Sequence, residues 1–427
     1  MRRFLGFALV LLALVVAQKW GQHVTHGNLL MGAGALVIFA YLAGKVGRLA
    51  KLPMISGYLI VGMILGPSVS GIFKRDIVNE LRIVNDLAIS LIALTAGAEI
   101  QMSWLKARAG TILKMMVTMN VVLMIGVIAL VLLLSPWLPF TTGELTTNLI
   151  IALVLAAFAV ALSPAVVVAM IGELRASGPV SQTSLGVSVV QDVTVVVLFT
   201  LALVLGRTVL GGEGISADVA VDLFRETFGS IGMGVVIGIA MAFYLHTVGA
   251  EIPLVLVIVC YVMAQLGALL HMEPLLMGMT AGFLLRNVWK GSAETLVHGL
   301  EKLNLPVYCI FFALAGMNLR LDALKELGLW ALGLCVLRVV GLYLAGLWGA
   351  KWSRCEQSVG SYAWLAFVSQ AGIALAMASV ISRTFPTWGP KVELFAVTVI
   401  AINQVIGPPM FRLALTRSGE AVPETKK

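Results

Sequence analysis

Thr183-Ser184-Leu185-Gly186-Val187-Ser188-Val189-Val190-Gln191-Asp192-Val193-Thr194-Val195-Val196-Val197 decides how this chain is read. It lies within an apolar run from Thr183 to Gly206, long enough to cross a bilayer as a helix, with a carboxylate near its middle. A charged side chain at that depth costs about 2.5–3.5 kcal/mol on insertion scales, so Asp192 points to function. A proton and a metal cation are the natural partners for such a group. The alternative is an Asp hydrogen-bonded to Ser or Thr across a helix interface. Gln191, its neighbour, projects about 100° away on a helix and is neutral, so only one of the two positions titrates. Loss of a proton and gain of a monovalent cation at Asp192 would leave the charge of the carrier unchanged.

The rest of the chain is of one kind. Of 427 residues, 60% are hydrophobic and 12% charged, and the mean hydropathy is +1.01. That is a polytopic, all-α membrane protein with no room for a soluble domain of any size. Thirteen apolar segments follow the N-terminus, from Leu29–Leu49 to Val392–Leu415, several of them short or interrupted by Gly, Ser and Pro. Broken spans of this kind line the central sites of secondary transporters. Residues 1–28 are an extra unit: Met1-Arg2-Arg3 and the apolar run Phe4–Ala17 read equally as a signal peptide or as an additional helix.

The net charge of +8 is accounted for by basic cytoplasmic loops, and the excess of Lys and Arg puts the C-terminus in the cytoplasm. No nucleic-acid partner is implied, and no cofactor site is visible. The four cysteines, Cys260, Cys309, Cys335 and Cys355, lack metal-ligand spacing and read as packing residues. No hydrolytic or redox constellation is present, so an enzyme is not expected.

An internal repeat organises the segments. Ala96-Gly97 and Leu105-Lys106 recur as Ala315-Gly316 and Leu324-Lys325, each 219 residues on (97 to 316, 106 to 325). Gly62-x-x-x-Gly66 recurs in order as Gly278-x-x-x-Gly282. The halves are residues 29–206 and 252–415, joined by a linker helix at 207–251 and followed by a short polar tail, 416–427. Seven segments separate equivalent helices, which inverts one half relative to the other and places the site between them near the midplane.

Each half carries one helix breaker. The fifth segment contains Ser163-Pro164, where proline removes a backbone donor and clashes with the preceding turn. By itself this could be a simple kink. The twelfth segment mirrors it with Ser369-Gln370-Ala371-Gly372. Broken backbone at membrane depth is tolerated only inside protein or beside a wet cavity. Two such breaks are expected to set helix ends and free carbonyls beside Asp192, with Ser163 and Ser369 as further oxygen ligands. Arg338, in the middle of the eleventh segment, requires a partner. Glu99, at the end of the third, is the nearest by topology, and a structural ion pair is expected between them.

Together these pieces resemble the cation:proton antiporter superfamily, and its Kef-type branch in particular. The resemblance rests on Gly57–Pro67, on Ala96-Gly97-Ala98-Glu99, on the two breaks, and above all on Gln191-Asp192. It covers nearly everything from Leu29 to Leu415. It implies a NhaA-like fold of thirteen helices with two crossing helices, a homodimer, elevator-type alternating access and a bacterial inner-membrane location. It also implies electroneutral exchange of potassium, or less favourably sodium, for protons, with Asp192 as the shared metal and proton site. The family's electrogenic members use a lysine in the tenth helix; the tenth segment here has none, in keeping with electroneutral exchange. Only the short tail follows the last segment, so control by a nucleotide-binding domain in cis is not expected, while a separate cytoplasmic regulatory subunit stays open. Two other classes fit the same fold class: an uncoupled cation channel and a symporter of organic anions.

Overall fold

The computed structural model describes residues 29–50, 52–211, 217–270, 272–288, 290–319 and 321–422. The N-terminal apolar run lies outside these residues. Every other apolar segment is helical, and among the described residues no strand occurs. In chain order the helices are α1 (Leu29–Leu49), α2 (Met54–Leu65), α3 (Arg75–Glu80), α4 (Arg82–Glu99), α5 (Met102–Leu134), α6 (Leu145–Ala159), α7 (Pro164–Leu174) and α8 (Pro179–Gly211). Then come α9 (Ala217–Thr247), α10 (Ile252–Leu270), α11 (Pro274–Val288), α12 (Lys290–Met317), α13 (Leu321–Ser353), α14 (Gln357–Tyr362), a 3-10 helix over Ala363–Val368, α15 (Ile373–Thr384) and α16 (Gly389–Arg417).

Eight helices among the described residues are long and apolar enough to cross a membrane. There are nine if Gln357–Val368 and Ile373–Thr384, bent by 48°, form one span. The chain is thus an integral membrane protein. Of the four remaining segments of the expected thirteen, two are short: α2 has only 12 residues and α11 only 15. At the other extreme α5, α8 and α13 have 33 residues each, about 50 Å at 1.5 Å per residue. That exceeds the hydrocarbon thickness, so these helices tilt or carry their ends into the headgroups.

The chain forms two compact units. Unit 1 comprises Met1–Gln101 and Glu226–Leu319; unit 2 comprises Met102–Arg225 and Arg320–Lys427. They do not coincide with the two sequence halves, because each unit draws on both.

Unit 1 is built on close backbone approach. A side chain at Gly62 of α2 would collide with the Ala313 carbonyl of α12, and one at Gly316 of α12 with the Leu59 carbonyl of α2. The pair α4–α11 has the same contact: Gly97 abuts the Met279 carbonyl and Gly282 the Leu94 carbonyl. Small residues let membrane helices touch backbone to backbone, where dispersion and weak hydrogen bonds hold them. The glycines are the ones that repeat in sequence, and the partners are exchanged: the second segment of each half packs on the third segment of the other.

Unit 2 encloses its broken helix. In the apolar window of Leu145–Leu174, 94% of residues are buried, against 33% for Met102–Leu134 and 28% for Pro179–Leu210. α8 turns the row Val197, Leu201 and Leu205 outward and α5 the row Leu113, Val117, Val121 and Ile125, each at the four-residue spacing of one helix face. The interrupted backbone therefore sits inside protein, as unsatisfied peptide groups in lipid would cost several kcal/mol each.

Candidate functional site

Both predicted breaks are real and each has its own cause. At the first, α6 ends at Ala159 and α7 begins at Pro164. Ser163 caps α7, its hydroxyl accepting from the Val166 amide at 3.4 Å, and Pro164 occupies the first turn, where no amide proton is needed. At the second, the 3-10 helix ends at Val368 and α15 begins at Ile373. Gly372 joins them with φ 40° and ψ −102°. That left-handed backbone explains the glycine, since a Cβ there would meet nothing within 4 Å.

Helix C-termini leave carbonyls without intrahelical partners. The sequence reading expected free carbonyls here, and the structure corrects it, because side chains take four in succession. Phe158 O accepts from Gln370 Nε2 at 3.1 Å, and Ala159 O from Arg338 Nε at 2.6 Å. Val160 O accepts from Gln191 Nε2 at 3.1 Å, and Ala161 O from Arg338 Nη2 at 3.0 Å. Arg338 also reaches the second break, with Nη1 2.9 Å from Val368 O and Nη2 3.1 Å from Phe367 O. One guanidinium thus ties together the C-terminal ends of two half-helices, where a positive charge meets the negative end of each helix dipole.

This also corrects the expected Glu99–Arg338 ion pair. Arg338 is 0% exposed and its fork is satisfied by four backbone carbonyls. Glu99 ends α4 in unit 1 and is exposed. The basic residue at the breaks is Arg338 on α13, in the eleventh segment.

The carbonyls fix the orientation of the amides around them. Val160 O can only accept, so Gln191 must offer it Nε2, which also donates to Asn120 Oδ1 at 2.7 Å. Gln191 Oε1 is then left buried with no donor among the described residues. By the same logic Gln370 gives Nε2 to Phe158 O and receives Asn403 Nδ2 on Oε1 at 2.8 Å, which leaves Asn403 Oδ1 as the orphan. Ser369 Oγ and Gln404 Oε1 are buried acceptors of the same kind. Ser369 lies against α16, because a Cβ on Gly407 would collide with its hydroxyl. Buried oxygens without donors cost about 1–3 kcal/mol each and call for an explanation.

Asp192 itself is 1% exposed on α8, beside Gln191 at 0%. Ser163, Ser369, Gln370, Gly372, Asn403 and Arg338 all belong with it to unit 2; of the residues singled out from the sequence, Glu99 does not. Two partners were missed. Asn120 is a polar residue inside the apolar segment Gly110–Leu134, a signal that was there to read. Glu420, which holds the start of α8, lies in the tail and leaves no local mark.

Residues 33–415 match the family model described as sodium/hydrogen exchanger, transmembrane. The chain belongs to that family. The exchanger is 24% identical over 416 residues to the Na(+)/H(+)-K(+) antiporter GerN of Bacillus cereus, covering 92% of this chain and 97% of that one. Its fold is similar to that of the sodium proton antiporter MjNhaP1 from Methanocaldococcus jannaschii. Against the structure at pH 8 the TM-score is 0.61 at 17% identity, covering 91% and 98% of the two chains. Against the structure from an electron-microscopy map it is 0.67 at 16%, covering 95% and 100%. Family membership makes the protein a cation:proton exchanger, an ion transporter and not an enzyme. It also places the chain within the cation:proton antiporter superfamily.

Proposed function

We propose that the protein exchanges a monovalent cation for a proton electroneutrally, with Asp192 holding one or the other in turn. The observation that carries this reading is a buried carboxylate on α8 beside a neutral Gln191 whose carbonyl oxygen is left open by its own anchoring. The cation is the substrate. Gln191 Oε1, Ser369 Oγ and Asn403 Oδ1 are oxygens of the type an alkali cation takes in place of water, and Ser163 adds a hydroxyl at the first break. Arg338 balances helix ends and Gln191 is neutral, so in this reading a single proton is exchanged for a single charge.

Potassium is the preferred cation in this reading, which places the chain in the Kef-type branch. The Gln191-Asp192 pair supports it, and the name of the Bacillus cereus relative includes potassium. The exchanged glycine pairs of unit 1 support inverted repeats in a NhaA-like fold. The division into two units, with every proposed ligand in unit 2, supports an elevator in which that unit carries the site. A homodimer in a bacterial inner membrane, C-terminus in the cytoplasm, completes the reading; the loop charges support the orientation.

In proteoliposomes Asp192→Asn is expected to abolish cation-driven proton movement while the protein still assembles. Exchange retained by that variant removes Asp192 from the role assigned to it. A potassium gradient that drives protons uphill separates exchange from an uncoupled channel.

A further inference from the structure

The tail after α16 is fastened to the start of the Asp192 helix. Gly419, with φ 76°, turns the chain out of α16, and the amides of Glu420 and Ala421 both return to Leu415 O at 3.1 and 3.0 Å. The tail then pairs with the loop between α7 and α8: Ser177 N donates to Glu420 O at 3.2 Å and Val422 N to Leu174 O at 3.1 Å. Between these two bonds the Glu420 carboxylate caps α8. Oε1 accepts from Val180 N at 2.6 Å, and Oε2 from Ser181 N at 2.7 Å and Ser181 Oγ at 2.6 Å. A carboxylate over the free amides of a helix N-terminus satisfies orphan donors and the helix dipole together. Gly178 makes room for it, since a Cβ there would lie 2.5 Å from Glu420 Cδ. Across the same turn, Gln182 Oε1 accepts from Arg108 Nε at 2.9 Å, and Arg108 forks onto Glu356 at 3.1 and 2.8 Å.

We propose that Glu420 is a positioning residue for transport: it sets the register of α8 and thereby the place of Asp192 among its neighbours. Asp192 is twelve residues beyond Val180 on an unbroken helix, about 18 Å along it. The α7–α8 loop joins the half-helix that Ser163 caps to the helix that carries Asp192, so one tether governs both. Every group in it belongs to unit 2, so the tether braces that unit internally.

This inference rests on the exchange reading, so its test has one arm that needs no transport. In the full-length chain, Glu420→Ala is expected to speed hydrogen–deuterium exchange at the amides of Val180 and Ser181. In proteoliposomes it should raise the cation concentration for half-maximal exchange several-fold, with a much smaller change in maximal rate per folded protein. If Glu420→Ala does not assemble, Glu420→Gln, of the same shape, carries both arms. Unchanged amide exchange overturns the tether. Faster amide exchange with unaltered half-saturation leaves Glu420 a mere helix cap and overturns the positioning role. A wild type without any cation–proton exchange sinks the transport reading and leaves the amide result standing.

Discussion

Arg338 shows how a single side chain replaces what two helix ends have lost. It gives one hydrogen bond to Ala159, one to Ala161 and two to the end of the 3-10 helix, all inside a fully buried site. Arg338→Ala removes these donors at once and leaves several carbonyls buried without partners, at about 1–3 kcal/mol each. The expected result is failure to assemble, or a loss of several kcal/mol measured by thermal unfolding in detergent. Arg338→Lys keeps the charge but not the planar fork, and cannot span both breaks. It should yield a folded but clearly less stable protein; stability equal to wild type would show that charge alone suffices. The sequence marked Arg338 as buried because a lone cation in an apolar run is a local signal. Its partners were not legible, because backbone carbonyls are present at every position and only the break decides which ones are exposed. A carboxylate was the only acceptor that residue identities could offer.

At the scale of helices, what could be read were interruptions of a pattern. Ser163-Pro164 and Gly372 break α-helical runs for reasons written into their chemistry, a missing donor in one case and a left-handed φ in the other. Which break touches which helix was not written locally. Gln370 bridges to Phe158 across 212 residues, and Glu420 to Val180 across 240. The glycine pairs lie between these cases: the repeat in sequence gave the positions, and packing gave the exchange of partners. If the two contacts are equivalent, they should respond alike. Gly62→Leu and Gly282→Leu each drive a branched side chain into an opposing carbonyl, Ala313 in one case and Leu94 in the other. Both should lower the melting temperature strongly and by similar amounts, by about the cost of separating two closely packed membrane helices. At Gly34, where a Cβ would meet nothing within 4 Å, the same change should have little effect. A large loss at Gly282 with none at Gly62 would argue against the equivalence.

For the whole molecule, the balance of charge carries a pH dependence separate from transport. The chain is basic overall, at +8, yet unit 1 gathers carboxylates: Glu273 before α11 lies within the electrostatic reach of Glu226 and Asp86. The Glu273 amide donates to Ser230 Oγ at 2.8 Å, and that hydroxyl donates to the Glu226 carbonyl. Burial first, and then the two neighbouring carboxylates, push the Glu273 carboxyl up from 4.5 to about 7. An acid whose pKa is higher folded than unfolded holds more protons in the folded state across that window. Stability is therefore complete below 4.5 and declines as the pH rises toward about 7, beyond which the loss is constant. Glu273→Gln keeps the shape and removes the charge. Its melting temperature should exceed that of wild type above about pH 8 and converge with it below about pH 4.5. Glu356 works in the opposite sense, its carboxyl held below the usual range by the Arg108 hydrogen bonds, so protonating it at low pH weakens unit 2. A Glu273→Gln variant whose advantage does not grow with pH would show that the carboxylates of unit 1 are already relieved, by water or by a bound cation.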